Sequence, residues 1–413
     1  MNMARTWFAG VIFCAALPVV SADAVNADAV NADVVNVDAV NEIAAAKPGV
    51  FHHLDASGRN NLAVSGASVA LVWEDNRSGA PGCYLAVQGG GANAFREFPF
   101  GHGECFEPAI AALDGERFLL IWEDAGGVNA AIADAAGPGP VRKLADSGGQ
   151  GNVAVHPRFG AYAAWSAPDG RWRRVWHAPL SIDGKQLRVG AVRPADMAAA
   201  TDDQTFPVII GGAQGLLLAW EDRRHGHTVI FSSFSGNPGH DATTWSAPAR
   251  VSGNPTGKAQ GNLGRGTGAM RPALAAFGDR VAAAWLDKRD FLSGYDVYAA
   301  LSDGMRFGKD RKAQDSFGDA IAQWHVAAAG NALGELVIAW DDDRDGTPDI
   351  WLTRLTAAGY SENFTLPAAA GPGQQSDPAI ALDAAGTLHL AWIERSAAGA
   401  TRLRYTKWPL PPR

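Results

Sequence analysis

The chain has 413 residues, 47% of them hydrophobic and 19% charged, with a formal net charge of −8. That balance is too apolar for a disordered chain, and without a basic stripe it excludes an electrostatic footprint for nucleic acid. The 48 glycines and 14 tryptophans, beside only 5 methionines and 3 cysteines, point to many turns with repeated aromatic anchors. An all-β repeat protein is the expectation.

Residues 1–22 read as a signal peptide. Met1–Thr6 carries Arg5, Trp7–Val20 is apolar, and Val20-Ser21-Ala22 supplies small residues at a cleavage point. The run is too short to span a bilayer comfortably, and Cys14 follows Ile12-Phe13 rather than the small residue of a lipoprotein signal. Export to a bacterial periplasm or beyond is expected, without a membrane anchor. The exported chain then keeps two cysteines, Cys83 and Cys105, which are expected to form a disulfide. Residues 23–46 form a low-complexity acidic linker, built on pentads such as Asp-Ala-Val-Asn-Ala. The remainder, 47–413, is one domain.

Self-similarity decides the fold. An apolar run ending in Trp, followed by acids and often Arg and Gly, recurs at Trp73, Trp122, Trp165, Trp220, Trp285, Trp340 and Trp392. The fullest copies read Trp73-Glu-Asp-Asn-Arg77-Ser-Gly79, Trp220-Glu-Asp-Arg-Arg224-His-Gly226 and Trp340-Asp-Asp-Asp-Arg344-Asp-Gly346. Upstream of several lies a strand with proline near its start, as in Glu107-Pro108, Phe206-Pro207, Arg271-Pro272 and Asp377-Pro378. Further strands follow between Gly and Asp turns, with no helical periodicity. Four strands in each repeat of roughly 50 residues describe propeller blades. The predicted fold is an all-β, seven-bladed propeller of four-stranded antiparallel blades, with a six-bladed ring as the alternative. The last copy has room for three strands, so Gly49–Leu54 is expected to supply its fourth and close the ring.

At these hairpins the chain resembles the sialidase-like superfamily of β-propellers with Asp-box (BNR) repeats. The resemblance also rests on Asp241-Ala-Thr-Thr-Trp245-Ser-Ala-Pro and Leu301-Ser-Asp-Gly304-Met-Arg-Phe307-Gly. It covers essentially everything after residue 47 and implies a propeller that acts on or binds glycans. The family's arginine triad, Tyr–Glu nucleophile pair and Asp acid/base are not assembled residue by residue. The nearest to its Arg-Ile-Pro segment is Met270-Arg271-Pro272, in the fifth repeat.

Topology places the second-to-third hairpins and the blade connections on one face, the top. The Asp and Arg of the repeated hairpin, being present in blade after blade, read as structural: Asp accepts turn N–H groups and Arg pairs with a carboxylate. Asp341, Asp343 and Asp345, alternating before Gly346, form a candidate Ca²⁺ site. The irregular residues carry more information. Strand starts put Glu107, His156, Arg271, His325 and Asp377 near the channel mouth, and the long Gly-rich connection from Asn254 to Ala269 adds Lys258 and Arg265. Glu107 and Asp377 are candidate catalytic carboxylates, and His156, Arg265, Arg271 and His325 candidate ligand contacts. The expected function is non-catalytic binding of a carbohydrate or an exported protein by a monomer. The alternative is a glycoside hydrolase or polysaccharide lyase using the same funnel.

Overall fold

Each Trp-ending apolar run becomes the second strand of a four-stranded antiparallel sheet, and seven such sheets follow one another along the chain. The computed structural model describes residues 40–54, 60–236, 245–253, 268–289 and 294–410. The fold is a seven-bladed β-propeller. Blade 2 shows the plan, with inner strand Cys105–Leu113, second strand Arg117–Asp124 and third strand Gly127–Asp134. Its outer strand comes in two pieces, Gly137–Pro138 and Arg142–Ala145. The inner strands of blades 1 to 7 include Leu62–Ser65, Cys105–Leu113, Gly149–His156, Gln204–Gly212, Ala269–Phe277, Trp324–Gly330 and Gln374–Leu382. Each touches the next and the last touches the first, so they ring a central channel.

Second strands are buried on both faces, as their unbroken apolar runs require. Every residue of Gly215–Asp222 and of Leu336–Asp342 is buried. The core lies between blades: seven apolar clusters each join two neighbouring blades, and each contains one of the seven tryptophans. All seven are at most 1% exposed. Losing one such side chain from a packed layer costs about 3–5 kcal/mol, which makes the Trp repeat the main anchor of the ring.

Ring closure differs from the expectation. Blade 7 has inner strand Gln374–Leu382, second strand Thr387–Arg395 and third strand Thr401–Pro409, and its outer strand is Asn41–Ala44. This segment closes the last pentad of the acidic repeat. There Ile43 and Ala44 break the pattern, and Ala44 is buried against Leu403 and Tyr405 of blade 7. The segment Gly49–Leu54 instead supplies His52–His53, an upper piece of blade 1's inner strand, paired with Glu74 and Asp75. Cys83, on the third strand of blade 1, is bonded to Cys105, which opens blade 2, across a Cα separation of 5.4 Å. No helix among the described residues is long and apolar enough to cross a membrane.

Candidate functional site

One backbone device recurs at the top of the inner strands. In six blades the pairing with the second strand slips by one residue, between Phe106 and Ala109, Gly149 and Asn152, Thr205 and Val208, Met270 and Ala273, Trp324 and Ala327, and Ser376 and Ala379. Inside each slip sits a non-glycine residue in the left-handed region: Glu107, Gln150, Phe206, Arg271, His325 and Asp377, with φ from 49° to 58°. A β-bulge of this kind re-aims a side chain, and left-handed backbone costs roughly 1–3 kcal/mol for such residues, so something must hold it. Four of the six precede proline, whose missing N–H means that the bulge forfeits no ladder hydrogen bond there. In blade 1 the corresponding stretch, residues 55–59, lies outside the described residues.

The holding groups are the acids that follow the tryptophans. Glu74 accepts the N–H of Glu107 at 3.0 Å, Glu123 that of Gln150 at 3.1 Å, Glu221 that of Arg271 at 2.7 Å, and Asp341 that of Asp377 at 3.1 Å. Each acid thus pins the bulge of the next blade. Blade 3 carries Ser166 at this position, and there the side-chain oxygen of Gln150 takes over, accepting the Phe206 N–H at 3.0 Å. Blade 5 carries the apolar Leu286, and His325 is held through its ring instead. Gly149 makes room for this arrangement, because a Cβ there would fall 1.3 Å from the Glu123 carboxylate.

Strand alternation sends the next residue to the opposite face. Asp75, Asp124, Asp222, Asp287 and Asp342 each accept the indole N–H of the tryptophan two residues earlier, at 2.9–3.1 Å. Arg77, Arg224, Arg289 and Arg344 pair with the same Asp, and each lies 3.9–4.6 Å from the centre of a third-strand aromatic ring. The repeated Asp–Arg pair therefore knits the top hairpins, and a role of that kind leaves the bulge residues as the distinctive groups of the mouth.

Those residues form an arc of contacts. Arg271 lies over the Phe206 ring, 3.4 Å from its centre. His325 Nδ1 is 2.7 Å from Asp341 Oδ1, and Nε2 is 3.5 Å from Asp377 Oδ1. Burial alone would lower the His325 pKa, but the hydrogen bond and charge of Asp341, with the charge of Asp377, hold it at about 9 against the opposing charge of Arg271. His325 is therefore a cation at neutral pH. Behind it Asp341 is pushed upward by its own burial. His53 joins the arc at 3.2 Å from Glu74, and that hydrogen bond raises its pKa, aided by the charge of Asp377. Beside the arc, Trp324 is 44% exposed and meets Tyr295 edge-on at 5.2 Å. The lower half of the channel contrasts with this rim, being a space of about 310 Å³ lined by small aliphatic residues such as Val64, Ala112, Val155 and Ala276, with no charged side chain.

Of the residues expected at the mouth, Glu107, Arg271, His325 and Asp377 occupy equivalent rim positions. Glu107 and Asp377 stand on either side of blade 1, and Asp377 is engaged by Ser376 at 2.7 Å and by His325, so the two do not form an isolated carboxylate pair. His156 does not belong to the rim. It ends its strand at the bottom turn, where Nδ1 accepts the N–H of Arg158 and Nε2 lies 2.9 Å from the Gly212 carbonyl. Gln150 takes its place in the arc. Arg265 and Lys258 lie outside the described residues. Asp341, Asp343 and Asp345 do not converge as a Ca²⁺ site would need, because Asp341 turns inward to His325 while Asp343 and Asp345 are exposed on the hairpin. Among the described residues no group of three or more His, Cys, Asp or Glu is placed to hold a metal ion.

No protein-family model matches the chain, and no curated protein matches it. Solved structures do. The polysaccharide lyase Uly1 aligns with a TM-score of 0.57 at 10% identity, covering 86% of this chain and 91% of the lyase. The α-L-arabinanase of Penicillium chrysogenum, solved with arabinobiose, aligns at 0.50 with 11% identity, over 74% of this chain and 93% of the arabinanase. A protein of unknown function from Dyadobacter fermentans aligns at 0.50 with 10% identity, over 91% and 100%. The likeness is one of fold.

Proposed function

We propose that the channel mouth is a carbohydrate-binding site, presenting Glu107, Arg271, His325 and Asp377 to the hydroxyls of a glycan and Trp324 to a sugar face. The observation that carries this reading is the row of bulges, a common backbone device that displays a different side chain from each of six blades toward one opening. A surface with constant scaffold and varied polar groups suits a ligand with many differently placed hydroxyls, and an exposed tryptophan adds a stacking platform. The lyase and the arabinanase, two propellers of similar fold that act on glycans, support the same ligand class. The leader expected at residues 1–22 makes the ligand one met outside the cytoplasm.

Binding without turnover is the better supported form, because Glu74, Glu123, Glu221 and Asp341 already serve inter-blade hydrogen bonds. One observation favours a second reading, glycan cleavage: Asp377 beside the cationic His325 pairs an acceptor with a proton donor at the rim. Titration calorimetry against neutral and uronate-containing oligosaccharides, arabinobiose included, tests the first reading, and product analysis after long incubation tests the second. Saturable binding without new reducing ends or unsaturated products is expected. Products that vanish in Asp377→Asn would establish the second reading, and no binding to any glycan would remove both.

A further inference from the structure

Blades 5 and 6 enclose a groove of about 820 Å³ at the outer rim of the bottom face, away from the mouth. One wall is the edge of blade 5, with third strand Asp296–Ser302 and outer strand Arg311–Lys312. The other is the bottom hairpin of blade 6, which joins third strand Asp349–Thr356 to Gly359–Tyr360. Into it come Arg280 from the first-to-second turn of blade 5, and Lys309 and Arg311 from its outer edge. These three cations come from separate turns and strands, all three are exposed, and none has an acidic partner among the described residues. Of the acids in the lining, Asp315 is bound to Arg344 at 3.0 Å, and the exposed Glu362 forms no ion pair with the three cations among the described residues. Like charges gathered without an ion-pair partner repel one another, and here they do so on a chain of net charge −8.

The floor adds a second, independent observation. Tyr360 packs among the apolar side chains between the blades, and its hydroxyl is buried with no hydrogen-bond partner. Burial pushes its pKa to about 12, against the opposing charges of Arg280 and Arg311, which line the same groove. A buried hydroxyl without a partner is unfavourable, and this one belongs to a residue that lines the groove.

We propose that this groove is a second binding site, specific for an anionic glycan, with Arg280, Lys309 and Arg311 taking its carboxylate or sulfate groups. Planar guanidinium forks match either group in two-point fashion. The volume exceeds that of a single inorganic ion and accommodates several sugar units. The alternative polyanion, an acidic polypeptide, would gain from adding a strand to a sheet edge or from filling an apolar pocket. The strand edges here, Arg311–Lys312 and Gly359–Tyr360, are two residues long, and the apolar lining at Leu301, Leu355 and Tyr360 is already half-buried.

The test is titration of the full chain with dextran sulfate, polygalacturonate, unmodified dextran and polyglutamate, at low and high salt. Binding of dextran sulfate, polygalacturonate or both is expected, weakening with salt, while unmodified dextran does not bind. Binding to both polyanions names the anionic group in general, and binding to one alone names sulfate or carboxylate. In Arg280→Ala/Lys309→Ala/Arg311→Ala the affinity should fall at least tenfold with the thermal midpoint preserved. In Arg142→Ala/Lys143→Ala/Arg188→Ala, which removes three exposed cations outside both sites, it should stay within twofold, so a loss in the groove variant belongs to the groove and not to net charge alone. Should the groove variant fail to fold, Arg311→Ala alone should weaken binding at least threefold. Absence of binding, binding indifferent to these substitutions, or polyglutamate binding as tightly as the glycans would overturn the proposal.

Discussion

The same oxygen of Asp341 that receives the ring of His325, at 2.7 Å, also accepts the backbone N–H of Asp377, at 3.1 Å. Asp341 belongs to blade 6 and Asp377 to blade 7, so one buried carboxylate ties a rim side chain to the joint between blades. Structure and rim chemistry are coupled at this atom.

A pH dependence follows. The folded-state pKa of His325, about 9, lies above the ordinary 6.5, so its contribution to stability is complete below pH 6.5 and is lost as pH rises through 9. With 41% of the side chain exposed, solvent screening trims the effect. The thermal midpoint should therefore fall between pH 6.5 and 9, and His325→Gln should flatten that slope. A wild-type slope unchanged in the variant would place the effect elsewhere.

His177 predicts the opposite limb. It is buried against Trp245, with ring centres 4.8 Å apart, and burial lowers its pKa to about 4. The folded state holds it neutral, so stability should fall as pH drops from 6.5 toward 4 and then level off. The upper limit is on the order of 3 kcal/mol, taking about 1.4 kcal/mol for each unit. Denaturant melts of His177→Phe should lose that acid slope.

The inter-blade acceptors should matter in proportion to what they leave unsatisfied. Glu221→Leu strands the Arg271 N–H and should cost about 1–3 kcal/mol, whereas Glu221→Gln keeps an acceptor and should cost less than 1 kcal/mol. Equal costs for the two substitutions would mean that the carboxylate acts by bulk or charge rather than as an acceptor.

The Cys83–Cys105 bond crosses from blade 1 to blade 2 at the top. Replacing both cysteines by serine should cost about 2–5 kcal/mol, read from urea midpoints at constant slope. A shift below 0.5 kcal/mol would show that the ring holds this joint without it.

Blade number and strand order were legible because each layer needs one large apolar anchor, and tryptophan marks it seven times. Arg271, Asp377 and Glu107 were legible as irregular residues before proline at strand starts. His156 misled because both ends of its strand carry polar residues and no proline flags the upper one; there the bulge is written Gly149-Gln150-Gly151. Phe206 carries the same proline signal, but its side chain is apolar and gives no hint of a polar site. The acids directly after the tryptophans carry no separate signal in the sequence. Only strand alternation separates Glu221, which faces the next blade, from Asp222, which faces the indole. The closing strand Asn41–Ala44 was hidden in the pentad repeat, whose composition reads as linker.

The mouth is tested most directly by calorimetric titration of the oligosaccharide panel against the wild-type chain and Arg271→Ala/Asp377→Asn. Saturable binding of at least one glycan, weakened at least tenfold in the variant while the thermal midpoint stays within a few degrees, is the predicted result. Binding of equal strength in the two proteins would contradict a carbohydrate site at the row of bulges.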